Sequence, residues 1–139
     1  MAQYRTVEGE GSATANTLTA LTTFGAATAV GPVKVPAGAS KITEIWVVIG
    51  ADVDTAGDVV AHYLTLSGQG IKGSAVNLAL AGLGGGVTYT GNVLTMAYPL
   101  GAGGKVDIDV TANESITVEH QYTGDTTGAA TIGVTFKFE

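Results

Sequence analysis

Two stretches near the C-terminus decide the fold: "SITVEHQY", residues 115–122, and "TIGVTFKF", residues 131–138. Each alternates without a break. Ile116, Val118, His120 and Tyr122 fall on one face of the first, with Ser115, Thr117, Glu119 and Gln121 on the other. Ile132, Val134, Phe136 and Phe138 share one face of the second, opposite Thr131, Gly133, Thr135 and Lys137. A period of two places successive side chains on opposite sides of a pleated strand, so each is a strand with one buried face. The link "TGDTTG", residues 123–128, is rich in turn formers, and one-sided burial of this kind belongs to antiparallel sheets.

The pattern extends upstream. "KVDIDV" (105–110) sends Val106, Ile108 and Val110 inward and Lys105, Asp107 and Asp109 outward, and "TANE" (111–114) and "LGAGG" (100–104) supply turns around it. In "TYTGNVLT" (88–95) the pair Gly91-Asn92 fits a two-residue hairpin, glycine providing the positive φ at its first position. "ITEIWVVIG" (42–50) is apolar on both faces, as expected of a central strand or of one whose outer face meets another surface. "DVVAHYLTL" (58–66) reads as a further two-sided strand. Pro32 and Pro36 cannot donate to a ladder, so "AVGPVKVPAG" (29–38) is expected at a sheet edge. About eight strands with short turns is a sandwich or barrel count.

Two segments stand apart. Residues 1–27 form an N-terminal arm of low complexity whose few large apolar residues include Leu18, Leu21 and Phe24. Such a segment does not offset its own ordering entropy alone, so it is expected to lie on a neighbouring subunit or to pair with its own domain, residues 28–139. The second segment, 68–86, carries Val76, Leu78, Leu80 and Leu83 and ends in a glycine run. It fits a short helix capped by Ser74 and ended by Gly82, or a strand through Val76, Leu78 and Leu80. Small residues in both segments permit close backbone approach, which makes those seven apolar residues the candidates for a subunit interface.

Composition narrows the function. The 139 residues include only 13% charged side chains, against about a quarter in an ordinary globular chain, with 21 glycines and a net charge of −6. The six basic residues stand singly at Arg5, Lys34, Lys41, Lys72, Lys105 and Lys137. Phosphate neutralisation needs grouped cations, so direct nucleic-acid binding is not expected. No apolar run reaches the ~20 residues of a helical membrane span, and the N-terminal residues lack the basic and apolar regions of a secretory signal. Without cysteines there are no disulfides or zinc–thiolate sites.

No motif carries chemistry. Gly82-Leu83-Gly84 meets Val87 where a dinucleotide-binding loop needs its third glycine, and "PLGAGGKV" (99–106) has Pro99 and Val106 where a phosphate-binding loop needs glycine and a hydroxyl. Asp52, Asp54 and Asp58 form the one candidate calcium site, although Ala56 and Tyr63 stand where an EF-hand loop places ligands. The plainer reading, and the one preferred, is an Asp/Gly-rich turn in which aspartates bond their own backbone. His62 and His120 fall on strands among apolar neighbours, which reads as hydrogen-bonded core or rim histidine. None of the serines sits in a nucleophile elbow. The chain is not expected to be an enzyme or to need a cofactor.

The run from "GPVKVPAGASKITEIWVVIGADV" (31–53) to "ESITVEHQYTGDTTGAATIGVTFKFE" (114–139), preceded by an arm, resembles the small single jelly-roll proteins that form or decorate viral capsids. That resemblance covers residues 28–139 and is architectural. It implies an all-β, antiparallel β-sandwich of jelly-roll type and a homo-oligomer, a trimer or higher assembly, in a virion. Function would then lie in subunit packing, with other shell proteins as further partners. Two other readings fit a β-sandwich: a secreted or cell-surface lectin-like module using Trp46 with Tyr63 or Tyr89, and a filament subunit joined by donation of its N-terminal strand.

Overall fold

The computed structural model describes residues 2–12, 16–24, 28–51, 61–80, 94–99, 105–123 and 131–139; for residues 49–51, 61, 79, 80, 94–99 and 123 it describes the backbone. Every element among them is a strand: β1 (Gln3–Glu10), β2 (Thr19–Ala20), β3 (Val33–Lys34), β4 (Lys41–Ala51), β5 (Ala61–Ser67), β6 (Val76–Leu80), β7 (Leu94–Pro99), β8 (Ile108–Asp109), β9 (Ser115–Thr123) and β10 (Thr131–Phe138). They form two antiparallel sheets. Sheet A runs β1-β10-β4-β7, with β8 also on β4; sheet B runs β2-β9-β5-β6, with β3 also on β9. The protein is an all-β sandwich.

The alternating stretches explain the core. Ile132, Val134, Phe136 and Phe138 of β10 line the inner face of sheet A with Val7 of β1 and Ile42, Ile45 and Val47 of β4. Leu64 and Leu66 of β5 and Ile116 and Val118 of β9 answer from sheet B. This apolar burial is the main favourable contribution to folding, since each such side chain removed from water gains roughly 1.5–3 kcal/mol.

β4 is central, as its composition predicts, between β10 and β7. Its inward residues do not keep one parity, because Ile42 and Ile45 are both buried. The register explains this: Lys137 pairs with Glu44 but Phe138 pairs with Ile42, so β4 carries one extra residue there, a bulge. Beyond it Trp46 and Val48 point outward.

The edge position expected around Pro32 and Pro36 holds for β3, which among the described residues pairs with β9 alone. The segment 76–80 is a strand rather than a helix, paired with β5 from His62↔Leu80 to Leu66↔Val76. The N-terminal residues divide. Gln3–Glu10 pairs along its whole length with β10, and Leu21 is buried in the chain's own core. This part of the arm therefore belongs to the sandwich of its own chain. The hairpin expected at Gly91-Asn92 and the glycine run 82–86 lie outside the described residues.

The strands leave the sandwich at two ends. At one, Ala51 pairs with Leu94, Ala61 with Thr123 and Glu10 with Thr131. The other is closed by turns that bond one another: Gly70 N–H donates to Ser115 O (2.8 Å), Thr111 N–H to Gly70 O (2.9 Å) and Lys72 N–H to Asp109 O (3.0 Å).

Candidate functional site

The first of these ends has a polar interior. His62 leads the inward face of β5 and His120 lies on the inward face of β9, and the register places His62 opposite Tyr122 and His120 opposite Leu64. Residues diagonal across an antiparallel pair are within reach of ring side chains. The two imidazoles are 5.0 Å apart between centroids, with His62 Nδ1 and His120 Nε2 2.8 Å apart. Tyr122 lies against both rings at 6.3 and 6.2 Å. Both histidines are fully buried, at 1% and 0% exposure.

A third participant arrives from the segment after β1. Ser12 N–H donates to His120 Nδ1 at 2.9 Å. Gly11 permits the approach, since a Cβ there would overlap the His120 ring and Ile132 Cδ1. Thr19, opposite His120 on β2, donates its hydroxyl to Ser12 Oγ at 3.4 Å.

The protons follow from the donors. A ring nitrogen that accepts an N–H carries no hydrogen, so His120 holds its proton on Nε2 and donates it to His62 Nδ1. His62 then keeps its own proton on Nε2, which is buried and has no partner among the described residues. Burial disfavours the charged forms. It pushes His62 down to about 4, and burial together with the neighbouring His62 pushes His120 down to about 3. The pair is neutral at pH 7.

Chemically, this cluster offers no open nucleophile and no group of three metal-ligating side chains among the described residues. Ser12 meets His120 through its backbone, and its side chain is buried. Both nitrogens of His120 are engaged. The calcium candidates Asp52, Asp54 and Asp58 lie outside the described residues. Asp107 and Asp109 take a surface role: Lys41 Nζ lies 2.6 Å from Asp107 and 3.6 Å from Asp109.

The second feature is the outer face of sheet A. Thr6, Thr135 and Trp46 lie in one row across β1, β10 and β4, and Glu8, Gly133 and Val48 in the next. Trp46 and Val48 are each 45% exposed, and Phe24 (56%) and Tyr4 (55%) stand out to solvent as well. Trp46, Val48, Phe24 and Glu8 border a groove of about 270 Å³ that includes Gly133, where there is no side chain to fill it.

The other interface candidates separate. Leu18 and Phe24 are exposed, Leu21 is buried, and Val76 and Leu78 are half-buried against the chain's own core. Leu80 ends β6, and Leu83 lies outside the described residues. Trp46 projects from sheet A and Tyr63 from sheet B, so these two aromatics do not share a surface; Tyr89 lies outside the described residues. The sequence marks His120 as inward and places His62 on a two-sided strand, but carries no sign of their pairing, because 58 residues separate them and the β5–β9 register joins them. Ser12, which takes part through its backbone, leaves no side-chain signature at all.

No helix among the described residues is long and apolar enough to cross a membrane. Comparison with protein-family models, with curated proteins and with solved structures gives no match.

Proposed function

We propose that the protein is a structural subunit of the single jelly-roll kind that acts by assembling with copies of itself, as a virion shell or capsid-decoration protein. The observation that carries this reading is the outer face of sheet A, where Trp46, Val48 and Phe24 stand exposed around a groove at Gly133 and Tyr4 is exposed on β1. Contiguous apolar surface of this kind marks interaction sites, and its aromatics are the residue types that dominate interfaces.

The strand order supports the jelly-roll part. β2 and β3 lie along the same edge of β9, and β7 and β8 along the same edge of β4. Counting each couple once reduces the ten strands to eight. The first then lies beside the last, the second beside the seventh, the third between last and sixth, and the fourth between seventh and fifth. That order agrees with a long hairpin wound into two Greek keys, which supports this reading.

The test is the oligomeric state of the full chain by size-exclusion chromatography with light scattering, followed by negative-stain microscopy. Assembly of the native chain, and loss of it in a Trp46→Glu/Val48→Lys variant that keeps its circular dichroism, is the expected result. A native chain that stays monomeric at high concentration, or a variant that assembles as before, overturns the proposal. Deleting residues 1–27 is a poorer test, because it would remove β1 from sheet A and Leu21 from the core.

A further inference from the structure

We propose that Ser12, His120 and His62 form a proton-operated latch, which holds the segment after β1 against the sandwich interior and releases it in acid.

The geometry makes the latch single-valued. The chain of donors runs one way: Ser12 N–H to His120 Nδ1, then His120 Nε2–H to His62 Nδ1. The only ring nitrogens able to take a proton are the two Nδ1 atoms, and each is already accepting. A proton on His120 Nδ1 sets two donors head to head, imidazolium N–H against Ser12 N–H. A proton on His62 Nδ1 does the same against His120 Nε2–H. Among the described residues neither charge has a counter-ion to absorb it. Among the described residues, Tyr122 is the other titratable group in contact with the rings, and no carboxylate or cation acts on either histidine. Glu119 lies on the opposite face of β9, where its carboxylate accepts from Ser67. Glu8 and Glu10, by alternation with Val7, point away on β1. On β10, Ile132 borders Gly11 as the His120 ring does, and on β2 Thr19 lies opposite His120 and gives its hydroxyl to Ser12 Oγ.

What moves is set by what the bond holds. Residues 11 and 12 carry the chain from β1 in sheet A toward β2 in sheet B; Ser12 N–H ties this crossing to the His120 ring, beside the Thr19 hydroxyl on Ser12 Oγ, and Asn16 N–H donates to Tyr122 O (2.8 Å) further along. Once His120 swings into water it titrates as an ordinary histidine, near pH 6.5. Opening is then linked to the uptake of one proton, and its equilibrium constant rises about tenfold for each pH unit below ~6.5.

Amide hydrogen exchange of the full chain, read by NMR and corrected for the intrinsic pH dependence of exchange, tests the latch between pH 7.5 and 4.5. The Ser12 amide is expected to lose protection about tenfold per pH unit below ~6.5. The Gly70 amide, bonded to Ser115 O at the other end, keeps its protection across the same range. In His120→Asn, whose side-chain oxygen accepts from Ser12 N–H at any pH, the slope at Ser12 disappears. Equal loss at Ser12 and Gly70, constant protection at Ser12, or an unchanged slope in His120→Asn overturns the proposal. Long-range ¹H–¹⁵N correlation of the native imidazoles gives an independent check should the variant not fold. A proton on His120 Nε2 and a bare Nδ1 at pH 7.5 are expected, and the reverse tautomer overturns it.

Discussion

The two ends of the sandwich are closed by different chemistry. At the end holding Ile42, Ile108, Val110 and Phe138 the interior is hydrocarbon, and the turns bond to one another through backbone groups that do not titrate. At the opposite end the same inward-facing positions of β5 and β9 carry His62, His120 and Tyr122, and a backbone N–H from outside both strands completes the cluster. The first end is held by volume and is sensitive to what fills it. The second is held by hydrogen bonds whose direction depends on two protons.

The largest effect should come from the hydrocarbon end. Phe138 is fully buried and packs 6.0 Å from Phe136 between ring centroids. Phe138→Ala should cost about 3–5 kcal/mol in urea unfolding at pH 7.5, the transfer term plus the cavity left behind. An equal loss at pH 5 would keep the contrast intact, because the interior described there is hydrocarbon.

Acid strikes the other end. Both histidines have folded-state values below 6.5, at about 4 and about 3. Between those values and 6.5 the unfolded chain binds more protons, so stability is complete above pH 6.5 and declines as the pH falls toward the folded-state values. Going from pH 7.5 to 5.0 should cost about 2 kcal/mol per histidine, read as a lower urea midpoint. A midpoint that does not move over this range would erase the distinction between the two ends.

The smallest effect belongs to the surface near the hydrocarbon end. Lys41 bonds Asp107 and lies near Asp109, yet both aspartates are well exposed. Lys41→Ala should leave the unfolding midpoint within error, because solvent screens such pairs and holding the long side chain costs entropy. A clear drop would mean that charge, and not hydrocarbon alone, closes this end.

The sequence made the hydrocarbon end readable and the other only in part. Ile116, Val118, Ile132, Val134, Phe136 and Phe138 announce their face by strict alternation, which is a local signal. Pro32 announces an edge because a missing donor is also local. His120 announces that it points inward and His62 only that it sits on a strand, since which residue lies diagonal to which depends on register between strands far apart in the chain. Ser12 is further out of reach, because the group it contributes is common to every non-proline residue. The parity of β4 was hidden for a related reason: "ITEIWVVIG" looks two-sided until the extra residue near Thr43 is known.

That extra residue shapes more than β4. Below it, Lys41 and Ile42 pair with β8; above it, Trp46 to Ala51 pair with β7. The neighbouring edge of the sheet therefore changes hands near the place where β10 slips against β4. In the language of crystals this is a dislocation, one added row that lets two differently phased patches share a lattice. On one side of it β4 turns a lysine outward toward Asp107 and Asp109, and on the other it turns out a tryptophan and a valine.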